Sequence, residues 1–308
     1  MHMSVMLQET ADLLMVSGGC YIDGTLGSGG HAEEILRRAG PEGRLLGIDR
    51  DTEALERARP RLAGVPGEAC LVHGSHGDIR RLAQENGFGA VDAILLDTGV
   101  SSEQLDTGER GFSFRLDGPL DMRMDTTRGE TAAGLLARQG DRELEELLRR
   151  LGEEPQARRI ARAIVRERER AGAIETTGRL AEVVCEAMGR WGGPRHPATR
   201  VFQALRMAVN RELEELRQAL EDGMSLLKPG GRIAVITFES QTDRLVKQRF
   251  AAHVGTWRSL QQGGTKWIGE LPAMVPVTRK VVTPNVGEAA GSNPRARSAK
   301  LRVVARKE

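Results

Sequence analysis

Cysteine is scarce in this chain: Cys20, Cys70 and Cys185 are the only three, spread too widely for a zinc or redox spacing. That excludes a thiolate metal site and a disulfide framework, and a reduced, cytoplasmic setting is expected. No apolar run approaches the roughly 20 residues that span a bilayer. Glu9 and Asp12 interrupt the stretch from Met1 to Met15, where a secretory signal would be uniformly apolar. No membrane association is therefore expected. The net charge of +2 is too small to name a partner. Hydrophobic residues at 39% and charged residues at 29% exclude wholesale disorder and fibrous repeats. Aromatics are only 3% of the 308 residues, so Phe112 and Phe114, bracketed by Arg110 and Arg115, stand out.

What is present is organised around Tyr21-Ile22-Asp23-Gly24-Thr25-Leu26-Gly27-Ser28-Gly29-Gly30-His31. This stretch reads as a short buried strand, a glycine-rich turn and the start of a helix. Its glycines let the backbone approach a ligand with no Cβ in the way, and the helix start points unsatisfied N–H groups at the same place. A cofactor pocket is the leading reading; a tight strand-to-helix connection without a ligand is the other.

Strands are expected at residues 19–23, 44–48, 70–73 and 91–97, separated by helices at 31–38, 52–62 and 79–84. This alternation argues for a doubly wound α/β sheet. From about residue 106 to 199 only helices are expected, near 141–151, 156–170 and 177–188. One long helix from Leu205 to Leu227 then leads to a fifth strand at 232–238. Past an irregular stretch containing Trp257 and Trp267, a closing antiparallel pair is expected at 278–283 and 299–305, joined by a polar loop at 287–298. The expected domains are residues 1–105 and 206–308, forming the sheet domain, and an inserted all-α domain at 106–205. Arg158, Arg159, Arg162, Arg166, Arg168 and Arg170 crowd one helix, and a second basic cluster runs from Arg295 to Lys307. Each reads as a phosphate-tracking face or as a solvated one, since Glu153, Glu154, Glu167 and Glu169 lie near the first.

Asp23, Asp49 and Asp97 fall at the C-terminal ends of three expected parallel strands, the edge at which open α/β sheets bind ligands. Asp49 stands at the distance from the glycine turn at which a carboxylate accepts hydrogen bonds from ribose hydroxyls. A phosphate loop of the Walker type needs Lys followed by Ser or Thr, and Gly30-His31 supplies neither, which disfavours ATP or GTP hydrolysis. The glycine pattern fits a dinucleotide only in part. S-adenosylmethionine, with a ribose, an adenine, a sulfonium and no phosphate, suits these acids better. The Lys228-Pro229-Gly230-Gly231 turn before strand five agrees.

Several long runs then carry a family resemblance: the stretch from Asp23 to His31, Leu95-Leu96-Asp97-Thr98-Gly99-Val100-Ser101-Ser102-Glu103-Gln104-Leu105-Asp106, and Arg110-Gly111-Phe112-Ser113-Phe114. Gly118-Pro119-Leu120-Asp121-Met122-Arg123-Met124-Asp125, the stretch from His196-Pro197-Ala198-Thr199-Arg200 to Asn210, and Asn293-Pro294-Arg295-Ala296-Arg297 continue it in order. Together they closely resemble the RsmH (MraW) family. The resemblance implies a Rossmann-like class I S-adenosylmethionine-dependent methyltransferase fold with an inserted helical domain. It also implies N4-methylation of a cytidine in the decoding centre (P site) of 16S rRNA. Carried onto matching positions, it makes Gly29, Gly30 and His31 cofactor contacts, Asp49 the ribose acid, and Asp97 and Gln104 further lining. His76 stands where the family has a Phe beside the adenine, so weaker adenine packing is expected. Thr98 replaces a Leu, and Glu239 and Thr242 replace a His and a Glu.

Chemically, the exocyclic amine of cytosine is a poor nucleophile and needs an acceptor that orients its lone pair. Asp97 is the candidate, and no metal or covalent nucleophile is required. The target base must leave its stack, with Phe112 and Phe114 as candidate stacking surfaces. Arg110, Arg123, His196, Arg200, Arg206, Asn210, Arg295 and Arg297 complete the candidate RNA-facing set. The expected partner is 16S rRNA, within the small ribosomal subunit, and a homodimer is compatible with the sequence. The alternative is an rRNA-binding or ribosome-assembly factor with impaired catalysis, motivated by His76, Glu239 and Thr242.

Overall fold

The computed structural model describes residues 4–15, 18–189, 196–260, 264–278, 280–284 and 294–308. The chain divides into two compact units, Met1–Gly99 with Leu213–Glu308, and Val100–Glu212.

In the first unit, α1 (Leu7–Leu14), β1 (Cys20–Asp23), α2 (Gly30–Ala39), β2 (Arg44–Asp49), α3 (Thr52–Leu62), β3 (Glu68–His73), α4 (Ile79–Glu85) and β4 (Val91–Asp97) alternate as their patterns require. Asp51 caps α3 by accepting from the Glu53 amide at 3.1 Å. The second unit holds α5 (Ser102–Asp106), α6 (Ala132–Arg138), α7 (Asp141–Gly152), α8 (Ala157–Ala171), α9 (Thr177–Met188) and α10 (Thr199–Val209). Its helices pack through Leu144, Leu148, Ile160, Ile164, Leu180, Val184 and Leu205, all buried. Where α7 crosses α10, Gly152 has no room for a side chain: a Cβ there would lie 2.7 Å from the Arg200 carbonyl. The first unit resumes with α11 (Glu212–Leu226), β5 (Leu227–Thr237), α12 (Ser240–Val254), β6 (Thr256–Ser259), β7 (Thr265–Ile268), β8 (Met274–Pro276) and β9 (Lys300–Arg306).

Seven strands form one sheet in the order β3-β2-β1-β4-β5-β9-β8. The five strands from β3 to β5 pair in parallel, and β9 runs antiparallel to both β5 and β8. This is a Rossmann-like α/β sheet, set apart from the 3-2-1-4-5-6 dinucleotide order by the inserted antiparallel strand. Alternation sends Ile22, Ile94, Leu96 and Val235 into one core layer and Tyr21, Ala93, Leu95, Ala234 and Ile236 into the other. Both faces are therefore covered, which is why the strands read as continuous apolar runs. Each fully buried Leu or Ile here contributes about 1.5–3 kcal/mol.

Four details depart from the sequence expectations. The single helix foreseen from Leu205 to Leu227 is two, α10 and α11, broken at Arg211, whose φ of 49° is left-handed. Strand β5 starts at Leu227, not 232. Its pairing with β4 shifts between Val91 and Ala93 and absorbs Gly230, with a φ of 76°. The antiparallel neighbour of β9 besides β5 is β8 at Met274–Pro276; among the described residues of 278–283 there is only a bridge between Val282 and Leu301. The stretch around Trp257 and Trp267 is ordered as the hairpin β6–β7. Residues 287–293 of the expected polar loop lie outside the described residues.

Candidate active site

The three acids stand where the pattern places them, at the ends of β1, β2 and β4. The turn that follows β1 is fastened to both neighbours: the Gly24 amide donates to the Leu95 carbonyl at 2.9 Å and the Leu26 amide to the Ile48 carbonyl at 3.0 Å. A Cβ on Gly24 would lie 2.6 Å from Leu96 Cδ2, so a larger residue there would require the Leu96 side chain to shift. Gly27, at a φ of 54°, donates its amide to Asp49 Oδ2 at 2.7 Å. Asp49 Oδ1 accepts from the Asp51 amide at 2.9 Å. Both carboxylate oxygens are thus fixed by backbone donors while each keeps a second lone pair, a suitable geometry for a vicinal diol.

Gly29 is the N-cap of α2, and a Cβ on it would press on Ala58 at 3.2 Å. Gly30 is covered by Ser4, and Arg61 donates to the Ser28 carbonyl at 2.9 Å. Packing alone therefore accounts for two of the glycines. The Gly29 amide already donates to the Leu26 carbonyl at 2.9 Å, so the Gly30 amide is what this pair offers a ligand.

His31 opens α2 and is buried, its Nε2 3.6 Å from Asp97 Oδ2. The Asp97 amide donates to Thr25 Oγ1 at 2.6 Å, which ties the end of β4 to the turn. Asp97 Oδ1 and His76 Nε2 are buried without a hydrogen-bond partner. A buried polar atom in that state is a group awaiting a ligand or strongly destabilising. Burial, helped by Arg50, pushes the His76 ring down to about 3, so it is a neutral, flat surface beside Gly24. Asp23 is pushed up to about 7, first by burial and then by Asp97 and Asp49, against the lowering effects of His31 and the Thr25 amide. Burial raises Asp49 as well. Acids this poorly solvated favour a cation without phosphates. A sulfonium with a ribose fits: the diol at Asp49, the positive charge among the acids, a flat base against His76.

Sequence reasoning missed the support beneath His76. Ser75 Oγ accepts from Arg50 at 3.0 Å and from the Gly77 amide at 3.1 Å, and bonds Glu215 of α11. Its members are far apart in sequence and form no motif. On the far side, Glu239 occupies the N-cap of α12, where its carbonyl accepts from Thr242 Oγ1 at 3.0 Å. Among the described residues, Glu221, His253 and Glu270 are close enough to hold a cation, but Arg249 already pairs with both glutamates.

The sequence profile of the MraW methylase family matches residues 1–307. The chain belongs to the MraW methylase family. It is 48% identical to ribosomal RNA small subunit methyltransferase H of Symbiobacterium thermophilum, over 98% of this chain and 96% of that one. It is 50% identical to the protein of the same name from Halorhodospira halophila, over 94% and 88%. A SAM-dependent O-methyltransferase from Thermotoga maritima overlays with a TM-score of 0.40 at 10% identity, covering 100% of this chain and 68% of that one.

In this MraW family member the helical unit sorts the remaining candidates by burial. Gln104 is buried and closes a capping box on α5, its Oε1 accepting from the Ser101 amide at 3.1 Å. Arg110 is buried and donates to the Arg123 and Met124 carbonyls at 3.2 and 3.0 Å. Phe112 is buried beneath it. Arg206 forms a buried fork with Glu212 at 2.7 and 3.0 Å. Asn210 accepts from the Met124 amide at 2.8 Å and donates to the Met122 carbonyl at 2.7 Å. Arg110, Phe112, Arg206 and Asn210 hold the unit together. Arg123 is half-buried and forked to Asp121 at 2.8 Å. Phe114 stacks on the exposed His196 at 4.4 Å and meets Phe202 edge-on. Arg200 and Arg297 are exposed, and Arg295 lies on the same short turn as Arg297. Among the described residues no helix is long and apolar enough to cross a membrane.

Proposed function

We propose that this protein transfers a methyl group from S-adenosylmethionine to the exocyclic N4 of a cytidine in the decoding centre of 16S rRNA, acting in the cytoplasm on the small ribosomal subunit. The observation that carries the reading is Asp97 Oδ1, a buried acceptor without a partner beside the glycine turn, in a chain of the MraW methylase family. Bound S-adenosylmethionine would supply an electrophilic methyl group on a sulfonium leaving group. Within the sheet unit, Gly29 and Gly30, with His31, Asp49, His76 and Asp97, would hold it. Asp97 Oδ1 would accept an N–H of the amino group, align the nitrogen lone pair, and take the proton as the N–CH3 bond forms.

In this reading the helical unit recognises rRNA. Its exposed side carries Arg200 and the Phe114–His196 stack, with Arg123 half-buried nearby in the chain, and Arg295 and Arg297 would add phosphate contacts from the sheet unit. Arg110, Phe112, Arg206 and Asn210 act there through the shape of the unit, because their side chains are engaged inside it. Tritium transfer from labelled cofactor to small-subunit rRNA, followed by nucleoside analysis, tests the proposal. Label on N4 is the expected result; label only at carbon five, or only on protein, overturns it.

Glu239 motivates a second reading, an rRNA-binding or assembly factor with impaired catalysis. Calorimetry with S-adenosylmethionine separates the two: no binding favours the second reading, and tight binding returns the argument to the enzyme.

A further inference from the structure

The hairpin β6–β7 is exposed along both strands, with Trp267 alone half-buried. Register sets Trp257 opposite Trp267 and Arg258 opposite Lys266. Because side chains alternate, the tryptophans share one face and the two cations the other. Trp267 is an anchor: its indole N–H donates to the Val254 carbonyl at 3.0 Å, and its ring fills the space that side chains on Gly255 and Gly269 would need. Trp257 is not: it is 63% exposed, with Lys307 Nζ 5.6 Å from the ring centre.

Like charges directly opposite one another weaken a strand pair, and a lone two-stranded ribbon is already marginal. Among the described residues no carboxylate pairs with Arg258 or Lys266, and the nearby Glu270 is taken by Arg249. Among the described residues the ribbon thus presents two adjacent exposed cations with no carboxylate partner, a pair that an external anion would offset. A second copy packed on this face would bring the same two cations. A polyanion with flat bases satisfies both faces.

We infer that the β6–β7 ribbon is an RNA contact outside the methyl-transfer site, with Arg258 and Lys266 on backbone phosphates and the Trp257 ring open to an unstacked base. The inference rests on the rRNA reading above. Four proteins test it by filter binding to small-subunit rRNA across a potassium chloride series: the parent, the double variant Arg258→Ala with Lys266→Ala, Trp257→Ala and Trp257→Phe. All altered positions are exposed, and circular dichroism with S-adenosylmethionine calorimetry verifies that each variant folds and keeps its cofactor affinity. The double variant is expected to lower the log–log salt slope by roughly 1.4 to 1.8, from two lost phosphate contacts. Trp257→Ala is expected to weaken binding by about 5-fold or more with the slope unchanged, and Trp257→Phe to restore most of it. Unchanged affinity and slope in the double variant and in Trp257→Ala, with a parent that methylates rRNA, overturns the ribbon assignment and leaves the proposed function standing. A parent that neither binds nor methylates rRNA overturns both. A fall in sedimenting mass with rRNA affinity intact makes the ribbon a protein interface and overturns the inference.

Discussion

Asp23 and His76 titrate in opposite senses on the same side of the sheet, and this makes the site's electrostatics measurable without substrate. Asp23 has a folded pKa of about 7 against 3.8 for the free side chain. Above pH 4 the unfolded chain gives up this proton and the folded protein keeps it, so stability falls as pH rises until the folded group ionises near 7. From pH 5 to pH 8 that amounts to a loss of roughly 2 to 3 kcal/mol. His76 is depressed to about 3 from 6.5. Below 6.5 the unfolded chain takes up a proton that the buried ring refuses, so stability rises from pH 5 to pH 8, by about 2 kcal/mol. In the parent protein the two slopes nearly cancel.

Removing one group uncovers the other. Asp23→Asn keeps an oxygen for the Thr25 amide, which Asp23 Oδ1 accepts at 3.1 Å, and abolishes the charge. This variant should gain stability between pH 5 and pH 8. His76→Phe keeps a flat ring and should lose stability over the same interval. Hydrogen exchange of the β1 amides is the suitable readout, because it follows the opening of the sheet unit even if the helical unit melts separately. Parallel curves for parent and both variants would refute the reasoning, since they would mean that neither group is buried as described.

Asp97→Asn should reduce methyl transfer to small-subunit rRNA by about 100-fold or more in a single-turnover assay at saturating S-adenosylmethionine; undiminished turnover removes Asp97 from the mechanism. Asn210→Ala leaves the Met124 amide and Met122 carbonyl without partners, and should lower the stability of the helical unit by about 1–3 kcal/mol in denaturant melts with cofactor affinity intact. Gly111→Ala should be worse still: its φ is 72° and a Cβ would lie 2.3 Å from the Pro119 carbonyl, so a thermal melt close to the parent's counts against the described turn.

The sheet unit was legible because its signals are local. Apolar runs bounded by glycine and aspartate set β1 to β4, and their ends placed Asp23, Asp49 and Asp97 on one edge before any coordinate was known. The break between α10 and α11 was not legible, because the apolar steps of three and four pass through Asn210 and Arg211 without a proline or glycine to interrupt them. The break is imposed by tertiary bonds: Asn210 is held by the loop at Met122 and Met124, and Arg206 by Glu212. The hairpin was missed for a related reason. With the tryptophans on one face and the cations on the other, and with Trp267 alone half-buried, it lacks the apolar alternation that marks a strand against a core.

Motif runs fail in a more specific way in the helical unit. A run such as Arg-Gly-Phe-Ser-Phe is matched equally well whether its members face a ligand or hold each other. Charge and aromaticity alone assign all of them to RNA. Burial divides them: Arg110 and Phe112 turn inward, whereas Phe114 stacks on an exposed His196. A buried guanidinium must find its partners among backbone carbonyls or a carboxylate, and Arg110 and Arg206 have done so. Truncating either would destabilise the unit and weaken rRNA methylation indirectly, so loss of activity in those variants cannot be read as loss of an RNA contact. The sheet-unit acids differ in kind. Asp49 spends one lone pair of Oδ2 on the turn and one of Oδ1 on the Asp51 amide and keeps the others, and Asp97 leaves one oxygen unpaired, so at these positions the fold holds the side chain and still offers an atom.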